Sequence, residues 1–104
     1  MNTRYFWDDA KRQGNLEKHG LDFSDADLVL TSNYRLDLPS ERNGERRVQS
    51  FAYVFEVLTV LTVVFLPGAE GLRIISFRRA NRSEREVYHD WLDHDWLENN
   101  GDDI

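Results

Sequence analysis

The sequence predicts one α+β domain: an antiparallel sheet with two N-terminal helices and a C-terminal helix packed on it, in the order β-α-α-β-β-β-β-α. Three observations carry this. Residues 34–79 read as successive strands divided by turn residues, and short turns join antiparallel neighbours. Helix start and stop signals lie on both sides of that region. At 104 residues there is room for one core only.

Residues 4–7 read as a short strand with Tyr5 and Trp7 on one face and Phe6 on the other. Asp8 or Asp9 can cap a helix running to about Lys18, with Gly20 placed to end it. This helix is polar, with Ala10 and Leu16 its clear apolar positions. Asp8, Lys11, Asn15 and His19 share one face, which suits either a solvated surface or the flank of a site. Ser24 reads as the cap of a second, short helix, with Phe23 and Leu28 as a hydrophobic staple. Residues 34–38 alternate as a half-buried strand does. A turn cluster follows at 39–44, and Asn43-Gly44 is its hairpin signal. Residues 46–55 form the next strand, with a reversal expected at Glu56. Residues 57–66 are apolar on both faces, which predicts a central strand covered on both sides. Residues 67–71 read as a turn and 72–79 as the last strand. Asn81 or Ser83 then caps the final helix, with Ser83 and Glu86 in capping-box register. Tyr88, Leu92 and Trp96 form its apolar stripe. Residues 1–88 read as the domain and 89–104 as an acidic, tryptophan-containing helical extension with a frayed end.

Composition narrows the function classes. There is no cysteine, which removes disulfides, thiolate zinc sites and a thiol nucleophile. The longest apolar run, residues 51–66, contains Glu56 and is too short for a spanning helix; a cytoplasmic location with no membrane role is expected. The net charge is −6, but its distribution matters more. Through Arg85 there are 13 basic and 12 acidic residues. From Glu86 onward there are seven acidic residues and no lysine or arginine. Body and tail are separate electrostatic objects, so the acidic total does not argue against RNA as a partner.

No phosphate-binding glycine loop and no spaced metal-ligand set is present, so neither cofactor nor metal is expected. The i, i+4 pairs His89/Asp93 and Asp90/His94 read as solvated. Ser76 and Ser83 have no neighbouring base. Arginine remains. Arg73, Arg78 and Arg79 lie on the last strand, Arg82 and Arg85 on the helix after it, and Arg46 and Arg47 at the start of another strand. Strict alternation puts Arg73 and Arg79 on one face and Arg78 on the other. A guanidinium stays charged and binds phosphate through paired hydrogen bonds. The alternative is structural pairing with Glu45, Glu56, Glu70 and Glu84.

Three blocks resemble a known family. Tyr5-Phe6-Trp7-Asp8 with Ala10-Lys11, Asn15, Lys18-His19-Gly20 and Phe23 is similar to the N-terminal signature of the BrnT toxin family. Glu45-Arg46 resembles its mid-chain pair. Arg73-Ile74-Ile75-Ser76, Arg78-Arg79-Ala80, Glu84-Arg85 and Tyr88 resemble its C-terminal signature. The resemblance spans about Phe6 to Tyr88. It implies a RelE-like fold and a metal-independent endoribonuclease toxin of a type II toxin–antitoxin system. It also implies a ribbon-helix-helix antitoxin like BrnA, with operator DNA reached only through that antitoxin. A homodimer and a toxin–antitoxin heterotetramer both fit. Two departures stand out: no glycine marks the turn near Glu56, and the chain continues past Tyr88.

RNA cleavage would proceed by attack of the ribose 2′-hydroxyl on the adjacent phosphate, which needs a base, an acid and positive charge. Arg78, Arg79 and Arg46 are the candidates for charge stabilisation. Glu84, Tyr88 and His19 are the candidates for proton transfer. Arg73, Arg82, Arg85, Arg47 and Lys18 are expected to bind RNA. The competing readings are a non-catalytic module that works with its antitoxin in operator repression, and a plain RNA-binding or structural domain. The acidic tail could fold back on the arginines; alternatively, Trp91 and Trp96 extend the core or an oligomer contact.

Overall fold

The computed structural model describes residues 4–100, with side chains through residue 94. Five strands form one sheet in the order β1-β5-β4-β3-β2. They are β1 (Tyr5–Phe6), β2 (Leu36–Arg42), β3 (Glu45–Val54), β4 (Thr59–Gly68) and β5 (Gly71–Arg79). The helices are α1 (Asp9–His19), α2 (Asp27–Leu30) and α3 (Arg82–Asn100), with a 3₁₀ turn at Phe23–Asp25 before α2. The expected element order holds, but the sheet is mixed rather than antiparallel, because β1 runs parallel to β5. Alternation assigns the faces of a strand but neither its neighbour nor its direction, so the parallel pairing was not legible. Gly71 makes the pairing feasible: a Cβ there would lie 2.3 Å from the Arg4 carbonyl oxygen. The Leu72 N–H donates to that same oxygen at 2.9 Å.

The β2–β3 hairpin closes on Asn43 (φ 53°) and Gly44 (φ 80°), the backbone that a two-residue turn of this twist requires. Strand pairing continues through Pro39, which pairs with Val48. The expected turn at 39–44 is therefore mostly strand. Proline is tolerated there because β2 is an edge. The β3–β4 reversal takes residues 55–58, flanked by the pair Val54 and Thr59. Leu58 supplies the left-handed residue (φ 54°) where glycine would be the usual choice.

The central strand β4 is covered on both faces, as its two-sided apolar pattern predicts. On one face Leu61, Val63 and Phe65 join Phe23, Ala26, Val29, Ala52, Ile74 and Phe77 under the N-terminal helices. On the other face Phe51, Val60, Ala80 and Tyr88 form a second cluster, with Trp91 and Leu92 of α3 packed against it. Trp91 thus extends the core; the expectation for Trp96 lies outside the described side chains. Helix α3 is unbroken through Asn100, so up to that point the acidic segment continues along the helix rather than turning back. The boundary expected after residue 88 falls inside this helix.

Two caps differ from expectation. Asp22, not Ser24, caps the 3₁₀ turn, accepting from the Ser24 N–H at 3.0 Å. At α3 the reciprocal box is Asn81 with Glu84, not Ser83 with Glu86. The Glu84 N–H donates to Asn81 Oδ1 at 2.9 Å, and the Asn81 N–H donates to Glu84 Oε1 at 2.9 Å. Ser83 spends its hydroxyl on Asn81 instead. Both pairs satisfy the same spacing rule, so sequence alone does not separate them.

Candidate nucleic-acid interface

Strand β5 carries a bulge that redistributes the arginines. Val64 pairs with Ser76, but Phe65 pairs with Ile74, so Ile75 is an extra residue. An extra residue in one strand reverses its side-chain parity. Ile74 and Phe77 consequently reach the same core although they are three apart. Arg73 therefore shares a face with Arg78, while Arg79 lies on the opposite one; the expected grouping of Arg73 with Arg79 is corrected.

Pairing then defines rows across the face that α3 partly covers. One row is Leu36, Phe51, Thr62 and Arg78. The next is Leu38, Gln49, Val64 and Ser76. Beyond it Ser40 pairs with Arg47 and Leu66 with Arg73. Past the reach of α3, this face holds an open concavity of about 370 Å³ lined by Arg42, Arg47, Gln49, Val64, Ser76 and Arg78, among others. Arg46 is paired with Glu41 and faces the other way. The structure thus brings Arg47 and Arg42, not Arg46, onto the face of Arg78. Arg42 was absent from the expected set. A two-residue turn at Asn43-Gly44 fixes the register that puts it there, so that signal was available.

Arg78 is held rigidly. Its Nη1 and Nη2 donate to the two Glu84 carboxylate oxygens at 2.7 and 3.0 Å. The pair is partly buried, with side chains 26% and 15% exposed. Its fork geometry fixes the guanidinium plane at the rim of the concavity. Hydrogen bonding to Arg78 lowers the Glu84 pKa, against a burial effect that raises it. Glu84 is also engaged in the helix cap through Asn81. Glu45 Oε1 similarly accepts from Arg47 Nε at 2.8 Å.

The other proton-transfer candidates separate clearly. Tyr88 is 1% exposed. Its hydroxyl donates to the Tyr34 carbonyl at 2.7 Å and accepts from the Tyr53 N–H at 3.3 Å. Burial raises its pKa. Tyr88 bolts α3 to the sheet, and its place in the expected proton-transfer set is not supported by this geometry. His19 is half-buried at the end of α1. Its pKa is lowered by burial first, then by the charges of Lys18 and Arg78.

Asn15 explains how α1 is positioned. β1 ends after Phe6, leaving the outer edge of β5 without a strand partner at Phe77. The Asn15 amide takes that place: Nδ2 donates to the Phe77 carbonyl at 2.7 Å, and the Phe77 N–H donates to Oδ1 at 3.2 Å. Nδ2 also donates to the Leu21 carbonyl at 2.9 Å. One side chain thus stands in for a strand peptide, and His19, one helical turn on, is carried to the β5 edge. The shared face of α1 is a flank of the sheet, buried only at Asn15.

The remaining basic residues are peripheral. Arg79 and Arg73 are exposed at the strand surface, and Lys18 is exposed on α1. Arg82 pairs loosely with Glu86 at 3.2 Å and is 87% exposed. Arg85 donates to the Ala80 carbonyl at 2.8 Å, within the α3 start. No helix among the described residues is long and apolar enough to cross a membrane.

A search of curated proteins returns no match. A family model described as "Ribonuclease toxin, BrnT, of type II toxin-antitoxin system" matches residues 7–84. That span runs from Trp7 through the five-stranded sheet, apart from β1, to the Arg78–Glu84 anchor, and stops short of Tyr88. The chain belongs to the BrnT family of ribonuclease toxins of type II toxin–antitoxin systems.

Proposed function

We propose that this chain is a metal-independent endoribonuclease whose substrate strand crosses the arginine-lined concavity on the α3 side of the sheet. The carrying observation is Arg78, locked by two hydrogen bonds to Glu84 at the rim of that concavity. Pre-orientation matters because a fixed donor need not reorganise as charge develops on the phosphorane. Arg47 and Arg42 hold flanking phosphates. His19, carried to the β5 edge by the Asn15 anchor, moves the proton: burial lowers its pKa and so favours the neutral imidazole that a base for the 2′-hydroxyl requires. Attack of that hydroxyl forms the 2′-O–P bond and breaks the P–O5′ bond; His19 returns the proton to the departing 5′-oxygen, and a 2′,3′-cyclic phosphate remains.

Family membership implies an antitoxin. We assign it to the ribbon-helix-helix class, with operator DNA contacted through that partner, and the fold to the RelE-like group. A second reading, a non-catalytic module acting with its antitoxin in repression, is favoured by one observation. Of the three proton-transfer candidates, Tyr88 is buried and Glu84 is engaged, leaving His19 alone.

The deciding assay incubates purified protein with a defined RNA and maps the 3′ ends. Wild type is expected to leave cyclic phosphates, and Arg78→Ala to lose about 10²-fold in rate. Arg78→Lys, which keeps charge and loses the fork, should fall between them. Intact RNA at high wild-type concentration would favour the non-catalytic reading.

A further inference from the structure

The concavity has a middle as well as a charged rim, and the middle is not basic. Between the row of Arg78 and the row of Arg47 lies Leu38, Gln49, Val64 and Ser76. Rows on one sheet face are about 7 Å apart and neighbouring strands about 4.8 Å. Arg78 on β5 and Arg47 on β3 are thus two rows and two strands apart, roughly 17 Å between backbones. They suit two separate phosphates of one strand rather than a single phosphate. The row between them is where a base of the intervening nucleotides would lie.

Its chemistry fits a base. Val64 and Ile75 supply an apolar floor in the concavity, and Gln49 and Ser76 line it alongside them. Gln49 is half-buried, and its side-chain amide makes no hydrogen bond among the described residues. The amide is not sealed from solvent, so its donor and acceptor can both meet a ligand in the concavity. Arg78 and Arg47 beside it are bonded to Glu84 and Glu45, and the amide is the group that can read a base edge.

We infer that Gln49, supported by Ser76, forms a nucleobase subsite that selects adenine in the RNA strand held by Arg78 and Arg47. The glutamine amide offers one acceptor and one donor side by side, matching the N6 amino donor and N7 acceptor on the Hoogsteen edge of adenine; the amino group and N3 of cytosine can pair with it too, so the advantage of adenine over cytosine comes from the larger purine ring covering Val64 and Ile75. Guanine presents two acceptors on the equivalent edge and suits a guanidinium better. Unpaired RNA exposes these edges to the protein. The subsite rests on the ribonuclease reading for its substrate class, but it makes a separate claim about binding.

The test uses fluorescein-labelled pentanucleotides, UUNUU, with 2′-O-methyl riboses that cannot be cleaved. Anisotropy gives Kd for N = A, C, G and U with wild type, Gln49→Ala, Gln49→Met and Ser76→Ala, each checked for folding by circular dichroism. Wild type should bind the adenine probe about tenfold more tightly than the guanine probe. Gln49→Ala and Gln49→Met should bring that ratio close to one, and Ser76→Ala should reduce it partly. Ser76→Ala keeps the test open if both Gln49 variants misfold. A wild type with no base preference, or a preference unchanged in folded variants, overturns the subsite. Cleavage of unmodified RNA is run in parallel. Cleavage without a Gln49-dependent preference defeats the subsite and leaves the nuclease reading standing. A Gln49-dependent adenine preference without cleavage does the reverse.

Discussion

One face of the sheet is two surfaces. Where α3 crosses it, Phe51, Val60 and Tyr88 are sealed to 2% exposure or less. A few residues further along the same strands, the face opens into the concavity with Arg42, Arg47, Gln49 and Ser76. Backbone geometry is continuous between the halves; what changes is whether a helix lies above. The Arg78–Glu84 pair marks the seam, one partner on the strand and the other on the helix. The covered half holds α3 in place, and α3 presents Glu84 to orient Arg78. Stability and chemistry are therefore separable by position along a strand.

Breaking the covered half should cost the fold. Tyr88→Ala removes a fully buried ring and is expected to cost about 3–5 kcal/mol in denaturant unfolding. Tyr88→Phe removes only the hydroxyl bonds to Tyr34 and Tyr53, at about 1–2 kcal/mol. If Tyr88→Phe were to abolish RNA cleavage while leaving stability intact, the division of the face would be wrong. Asn15→Ala comes next. It leaves the Phe77 N–H and carbonyl unpaired in a buried setting, at about 2–4 kcal/mol. It should also loosen His19, so activity should fall further than stability explains.

Acid should act on the ion pairs. Asp22 is held well below its ordinary value of 3.8 by Arg12 and the Ser24 N–H, and Glu84 below 4.5 by Arg78. A carboxylate with a depressed folded pKa stabilises the fold above its unfolded value, and that contribution is lost as pH falls through the folded value. Thermal midpoints should thus be flat above about pH 5 and fall below about pH 4.5. Arg78→Ala and Arg12→Ala should each shallow that fall; an unchanged slope would mean the pairs do not contribute.

Smaller effects sharpen the seam. Thr62 is fully buried in the row of Arg78, and its hydroxyl has no hydrogen-bond partner among the described residues. Thr62→Val keeps the shape and removes the unsatisfied group, so stability should rise by about 1 kcal/mol. A loss instead would show that the hydroxyl has a role at the arginine anchor. Arg82→Ala, on the exposed helix surface, should not shift the midpoint measurably.

Sequence made the α1 caps at Asp8 and Gly20 and the hairpin of Asn43-Gly44 legible, because those depend on local backbone requirements. It made β4 legible because two-sided burial leaves a continuous apolar run. It did not reveal the Ile75 bulge. Ile74, Ile75 and Phe77 are all apolar, so either parity reads as a core strand, and only the pairing of Phe65 with Ile74 decides. That one residue moved Arg73 across the sheet. Which of Arg46 and Arg47 shares the face of Arg78 was not legible for a related reason: adjacent arginines alternate, and only the hairpin register decides. Tyr88 was read as equally suited to core and site. Its burial depends on where α3 lands, which no local pattern encodes.

Arg46 and Arg47 provide the sharpest test of the account. They are adjacent, identical in chemistry and opposite in face. RNA affinity and cleavage at low and moderate salt should be measured for Arg46→Ala and Arg47→Ala beside wild type, with thermal midpoints alongside. The account predicts about a tenfold loss for Arg47→Ala with a shallower salt dependence, and little change for Arg46→Ala. Equal losses, or a larger loss at Arg46, would contradict the claim that the substrate lies on the α3 side of the sheet.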